Sequence, residues 1–225
     1  MDAIIELDKE ILLFLNGLHN SFFDGFMYWI SDRWIWIPMY AALLYPIIVR
    51  KKQGTVLVAV CIALCVLFAD QFASGFCKPF FERLRPSHDP AIMDMVHIVE
   101  GNRSGLYGFI SSHAANTFAV AVFTICLFRK WIEAVPVVLW ALLNSYSRIY
   151  LGVHFPLDII MGALAGTVVG FTCYGIYLAG MKYLPASITG KAESAFDNAD
   201  FIPLIIVLIL TIFFICLFSS RGFVS

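Results

Sequence analysis

Three short stretches hold most of the residues that could do chemistry. In SRIYLGVHFPLD, residues 147–158, Arg148, His154 and Asp158 stand close together in an otherwise strongly apolar chain. The four-residue spacing of His154 and Asp158 predicts neighbours one turn apart on a helix face. There the carboxylate accepts from imidazole Nδ1 and leaves Nε2 as an outward lone pair. An imidazole held that way is a nucleophile or a base, and Arg148 beside it offers a planar fork to an oxyanion. In GFISSHAANTF, residues 108–118, a small polar turn opens an apolar run. Ser111 or Ser112 caps the helix start, whose free N–H groups make an anion site, and His113 beside them can serve as a general acid. In KPFFERLRP, Lys78 and Arg85 are seven positions apart, two helical turns, so a helix would project them from one side. Glu82 and Arg83 between them read as solvated companions. Alone, each cation could be a snorkelling interfacial residue and each histidine a structural hydrogen-bonder. Together they are a phosphoryl-transfer toolkit: cations and amides for the equatorial oxygens, one histidine to attack phosphorus and one to protonate the leaving oxygen. Glu82, Asp89, Asp94 and Glu100 are scattered without ligand spacing and no Gly-rich phosphate loop is present, so neither metal nor cofactor is expected.

Such residues act together only if the elements that carry them converge. A bilayer core of about 30 Å takes roughly 20 apolar residues per helix. Six apolar runs qualify as spans, at about 34–49, 55–76, 113–128, 132–147, 155–180 and 201–218. Counting spans, the polar segment 77–112 leaves the end of the second, the third starts at His113, and the fourth returns to Ser147-Arg148 where the fifth begins. Residues 77–113 and 147–158 therefore fall on one face of the membrane. The short basic turns Arg50-Lys51-Lys52 and Arg129-Lys130 fall on the other, which the positive-inside rule makes cytoplasmic. The site then faces the periplasm or the exterior.

Composition supports the same reading. Of the 225 residues, 60% are hydrophobic and 14% charged, with a mean hydropathy of +0.83, against roughly 25% charged in an ordinary soluble domain. The fold class is all-α, a polytopic transmembrane bundle of about six spans. A net charge of −1 gives no reason to expect nucleic acid as a partner. The N-terminus is acidic and lacks a small-residue cleavage site, so it is expected to stay in the mature protein. Its Ile4, Leu7, Ile11, Phe14 and Leu18 recur at helical spacing and predict an amphipathic interfacial helix within residues 1–30, a first span through 11–30 being the alternative. Residues 31–182 then form the helical membrane core, and 183–225 a linker and last span. Gly162, Gly166 and Gly170 predict close approach of a neighbouring helix. The six cysteines, without CxxC spacing, read as small core hydrophobes. Asp70, inside the second span, reads as a structural partner within the bundle, a site cation being one candidate for it, and stays off the catalytic set. Segment 87–107 is a candidate entrance.

The three stretches, in this order, resemble the signature motifs of the type 2 phosphatidic acid phosphatase superfamily, which includes bacterial acid phosphatases and vanadium haloperoxidases. Lys78 to Pro86 is similar to its lysine, six residues, Arg-Pro motif; Ser111-Ser112-His113 to its Pro-Ser-Gly-His motif; Ser147-Arg148 through His154 and Asp158 to the last. Ile110 stands where proline is usual and Ser112 where glycine is usual. The resemblance implies that His154 forms a phosphohistidine, Asp158 orients it and His113 protonates the leaving group. It further implies that Lys78, Arg85, Arg148 and Ser111 hold phosphate, with the Ser112 amide beside them. Members act on undecaprenyl diphosphate, phosphatidylglycerol phosphate, phosphatidic acid or lipid A phosphates, so a lipid phosphate is the expected partner and an inner membrane the expected location. Undecaprenyl diphosphate and lipid A phosphate are the expectations favoured by an outward site. The rival readings are an anion-binding transporter or channel, a haloperoxidase, and an inactive lipid-binding relative.

Overall fold

The computed structural model describes residues 2–51, 54–189 and 196–220. Lys52 of the basic turn, residues 190–195 of the expected linker and the last five residues lie outside the described residues. Ten α-helices are described: α1 (Asp2–Gly17), α2 (Ser21–Ser31), α3 (Ile37–Lys51), α4 (Thr55–Asp70), α5 (Lys78–Phe81), α6 (Ser112–Phe128), α7 (Trp131–Tyr150), α8 (Pro156–Tyr183), α9 (Ala186–Thr189) and α10 (Ile202–Ser220). The six apolar runs coincide with α3, the α4–α5 rod, α6, α7, α8 and α10. Three continuous helical stretches, Thr55–Phe81, Pro156–Tyr183 and Asn198–Ser220, are long and apolar enough to cross a membrane by themselves. Their outer faces expose large apolar side chains such as Val60, Leu67, Leu164, Val168 and Phe213, as a lipid-facing surface requires.

The central pair is α6 against α8, the most extensive helix contact in the molecule. Its cause lies in the glycines. A Cβ at Gly162 would come within 2.6 Å of the Ser111 carbonyl oxygen and one at Gly170 within 2.7 Å of the Ala119 oxygen, while one at Gly166 would strike the Ala115 oxygen. The glycine ridge of α8 thus rides on backbone presented by Ser111, Ala115 and Ala119, each four residues from the last, as small-xxx-small spacing predicts. This fixes the start of α6 against the start of α8. Cys61, Cys65 and Cys173 lie fully buried in the same core as free thiols, in keeping with their reading as small hydrophobes.

The ends of the bundle sort as span counting requires. At one end Arg50 holds Asp200 at 2.9 Å, and Phe128 packs on Phe196 and Phe201, joining the end of α3, the end of α6 and the approach to α10. At the other end the Ser111 amide donates to the Asp158 carbonyl at 3.0 Å, so the motifs of residues 78–113 and 148–158 meet. α1 lies across that second end. Ile4, Leu7, Phe14 and Leu18 face outward, while Asp8, Leu12 and Asn16, one line at four-residue spacing, are buried. Asn16 donates to the carbonyls of Tyr150 and His97 and accepts from the His97 amide at 2.7 Å, tying α1 to both the end of α7 and the segment 87–107.

Candidate active site

Each motif is shaped by a local break in helix. α4 runs into a π-helix, Gln71–Cys77, and then α5. Across this stretch two ridges at four-residue spacing emerge on opposite sides. The polar ridge is Asp70, Ser74 and Lys78: the Lys78 ammonium donates to Ser74 Oγ at 3.0 Å, and that hydroxyl donates to Asp70 Oδ1 at 3.3 Å. Asp70 is therefore a structural partner of a site cation, reached through Ser74. The other ridge is Phe72, Phe76 and Phe80, three exposed rings stacked in sequence, continued through Phe81 to Phe109.

The helix does not carry Lys78 and Arg85 together as two turns of one side. It stops at Phe81, where Glu82 takes the left-handed conformation at φ 46°. Residues 83–85 then run extended, pairing with 106–108 through the Arg85 amide on the Leu106 carbonyl (3.0 Å) and the Gly108 amide on the Arg83 carbonyl (2.8 Å). In an extended segment alternate residues share a side, so Arg83 and Arg85 both turn inward. Arg83 is accordingly not a solvated companion. Its Nη1 donates to Asp158 at 2.8 Å and its Nη2 to Asp8 at 2.6 Å. Glu82 is exposed, as expected.

Ser111 caps α6, its hydroxyl accepting from the Ala114 amide at 3.4 Å. The cap leaves the amides of Ser112 and His113 as first-turn donors. Ser112, in place of the usual glycine, presents a hydroxyl that accepts from Lys78 at 3.2 Å, and Ile110, in place of proline, is buried in the core. The His113 ring hydrogen-bonds the backbone of Ser31, and Arg148 donates to the Ser31 hydroxyl, so the end of α2 orients both.

His154 stands before α8 rather than on it. Phe155 is the N-cap, Pro156 opens the helix and Asp158 is the third helical residue. Asp158 Oδ2 accepts the Phe155 amide at 3.0 Å and faces His154 Nδ1 at 3.3 Å. The expected pairing is made, by a carboxylate reaching back over a helix start. With Nδ1 assigned the proton from this network, Nε2 is a lone pair, and it lies 2.9 Å from Arg85 Nη1. Burial and then the cations Arg85, Arg148 and Lys78 hold the His154 pKa well below the ordinary imidazole range, so the ring is neutral at pH 7. Burial likewise lowers the Arg85 pKa, opposed by Asp158; an arginine remains a cation. The Nε donors of Arg85 and Arg148 are buried and have no partner among the described residues.

Sequence reasoning did not reach Asp8, Arg83, Ser31, Ser74 or Gly108. A Cβ on Gly108 would lie 3.1 Å from Asp158 Oδ2 and 3.6 Å from His154 Nδ1, so this glycine lets the paired segment lie against the imidazole. The legible signals were the Asp8, Leu12, Asn16 line and the alternation of Arg83 with Arg85.

A neutral imidazole backed by a carboxylate, with Arg85 against its Nε2 and Arg148 and Lys78 near enough to act on it, is an arrangement able to carry phosphoryl transfer. Residues 37–182 match the sequence profile of the PAP2 superfamily, and the chain belongs to it. The chain is 45% identical over 179 residues to a lipid A 4′-phosphatase of Bacteroides thetaiotaomicron, spanning 78% of this chain and 79% of that protein. It is 39% identical over 198 residues to a lipid A 4′-phosphatase of Porphyromonas gingivalis, spanning 87% and 84%. The crystal structure of Aquifex aeolicus LpxE superimposes with a TM-score of 0.56 at 25% identity, covering 75% of this chain and 95% of that one. The fold is also that of a PAP2-type phosphatidylglycerolphosphate phosphatase from Bacillus subtilis, at a TM-score of 0.61, 20% identity and coverage of 82% and 90%. The protein is thus a membrane lipid phosphatase in class, and the transporter reading is not favoured.

Proposed function

We propose that the protein removes a phosphate monoester from a lipid A-type glycolipid at the outer surface of a bacterial inner membrane. The observation that carries the chemistry is that the buried Nε donors of Arg85 and Arg148 have no partner among the described residues, while Arg85 Nη1 lies against His154 Nε2. Buried cationic donors without partners cost stability unless an anion receives them.

Arg85, which donates to Nε2, turns to an oxygen of the bound phosphate, and Lys78, Arg148 and the Ser112 and His113 amides take the others. Ser111 acts on phosphate through its cap, because its hydroxyl is engaged there. His154 Nε2 attacks phosphorus as the bond to the lipid oxygen breaks; His113 gives that oxygen its proton; Asp158 stabilises the Nδ1–H of the charged ring. Water then attacks the phosphohistidine, returning its proton to His113 and releasing inorganic phosphate. Three cations supply the charge neutralisation that a metal gives elsewhere. The exposed ladder Phe72, Phe76, Phe80, Phe81 leads from the lipid-facing surface to Phe109, next to Gly108, and supports a substrate whose chains remain in the bilayer. The two lipid A 4′-phosphatase relatives support the glycolipid, and the short basic turn Arg129-Lys130 at the far end of the bundle supports an outward site.

The test uses purified protein in detergent with bis-phosphorylated lipid A, undecaprenyl diphosphate, phosphatidylglycerol phosphate and phosphatidic acid. Phosphate release and the mass and position of the product are measured with and without chelator. Loss of the 4′-phosphate of lipid A, unaffected by chelator and absent in His154→Ala, is expected. Faster turnover of undecaprenyl diphosphate would overturn the glycolipid assignment, and full activity in His154→Ala the nucleophile.

A further inference from the structure

Asp158 is completely buried. A carboxylate in that position is costly unless its charge is met and its oxygens are filled. The two oxygens divide the work: Oδ2 takes the Phe155 amide and faces His154 Nδ1, while Oδ1 takes Arg83 Nη1 at 2.8 Å. Arg83 is held in turn. Its guanidinium lies over the Phe155 ring at 4.2 Å, and its Nη2 donates to Asp8 Oδ2 at 2.6 Å. Asp8 divides its oxygens as well, because Oδ1 accepts the Leu157 amide in the first turn of α8 at 2.9 Å. The chain His154, Asp158, Arg83, Asp8 therefore closes on itself: its outer carboxylate grips both the arginine and the helix start that carries the inner carboxylate. Asp8 comes from α1, whereas the family profile covers residues 37–182.

We propose that Asp8 is a positioning residue of the reaction, acting through Arg83 on Asp158, so that docking of the N-terminal helix aligns the nucleophile. The inference rests on the phosphatase reading given above. Neither Asp8 nor Arg83 reaches the phosphate cations or His154 Nε2, so their contribution belongs to the chemical step and not to substrate capture. Small displacements of a reacting group cost rate steeply, about 10²-fold for 1 Å. The charge on Asp8 matters for keeping Arg83 extended toward Asp158; its oxygen toward Leu157 is a cap that asparagine can also provide.

The experiment measures kcat and KM for phosphate release from a lipid phosphate by the full-length protein in detergent, with melting temperature recorded for each variant. Asp8→Asn is expected to lower kcat about tenfold with KM within about twofold, Arg83→Gln about a hundredfold. The double variant should be no worse than Arg83→Gln alone, because residues acting in one chain are not additive. Arg83→Lys, which keeps the charge without the fork, should recover part of the loss, as should Asp8→Glu relative to Asp8→Ala. An unchanged kcat in Asp8→Asn overturns the inference, and so do losses that multiply in the double variant, since Asp8 would then act through the helix cap alone. Failure of the unsubstituted protein to release phosphate from any lipid overturns the phosphatase reading itself and the inference with it.

Discussion

In the proposed reaction, His154 is a buried histidine made a nucleophile by its neighbours. Desolvation and three cations keep it neutral, and on that mechanism the carboxylate of Asp158 would meet the charge that appears once phosphorus is bonded. The sign of the pH dependence follows. Because the folded-state pKa is depressed, kcat/KM should hold as pH falls through about 6.5, the usual imidazole value, and drop only at lower pH. Arg85→Ala removes the nearest cation, so the protonated ring should persist to higher pH and the acid limb of the profile should move upward, along with a higher KM. Linkage has the same origin. The unfolded chain binds this proton more readily, so the neutral ring's contribution to stability is complete above the unfolded pKa and is lost as pH falls below it. At Gly108 the geometry predicts a different loss. A methyl group 3.1 Å from Asp158 Oδ2 must push either the carboxylate or the paired segment. Gly108→Ala is therefore expected to lower kcat more than it lowers the melting temperature, read from kinetics and thermal unfolding of the same preparation.

At the scale of elements, the site depends on interruptions in helices. The π-helical stretch of Gln71–Cys77 puts a polar ridge inward and an aromatic ridge outward, and the left-handed Glu82 turns helix into extended chain so that Arg83 and Arg85 share a side. The glycine ridge of α8 is the opposite kind of device, an uninterrupted contact that sets distance. Any Cβ there meets backbone, which cannot rotate away as a side chain can. Gly166→Ala should separate α6 from α8 and cost about 1–3 kcal/mol by overpacking. It should also weaken catalysis, because the Ser111 to Asp158 backbone bond joins the two motifs. A variant that unfolds as before and keeps full activity would show that the two helix starts are held by other contacts.

For the whole molecule, the decisive property is sidedness. All three motifs, the segment 87–107 and α1 gather at one end, and the ion pair Arg50–Asp200 with the Phe128 cluster closes the other. An outward-facing site predicts that Asn102→Cys, exposed in segment 87–107, is labelled by a membrane-impermeant maleimide on intact spheroplasts. Trp131→Cys, exposed at the opposite end, should be labelled only after lysis. The reverse pattern would place the site in the cytoplasm.

The sequence by itself determined the class of solution. Its composition and apolar runs call for a bundle of helices in a bilayer, and helices that alternate direction bring particular polar segments to one end. Hence Lys78, Arg85, Ser111, Ser112, His113, Arg148, His154 and Asp158 could be gathered by counting spans and by the motifs they resemble. Tertiary structure decided what periodicity could not carry. Lys78 and Arg85 converge through a broken helix, and His154 meets Asp158 across a helix cap. Arg83 is a half-buried bridge between two buried carboxylates because Asp8, 75 positions away, arrives beside it on α1. Local spacing is short-ranged, whereas the partner that neutralises a buried charge is chosen by packing. That choice exists only once α1 has closed over the ends of α7 and α8.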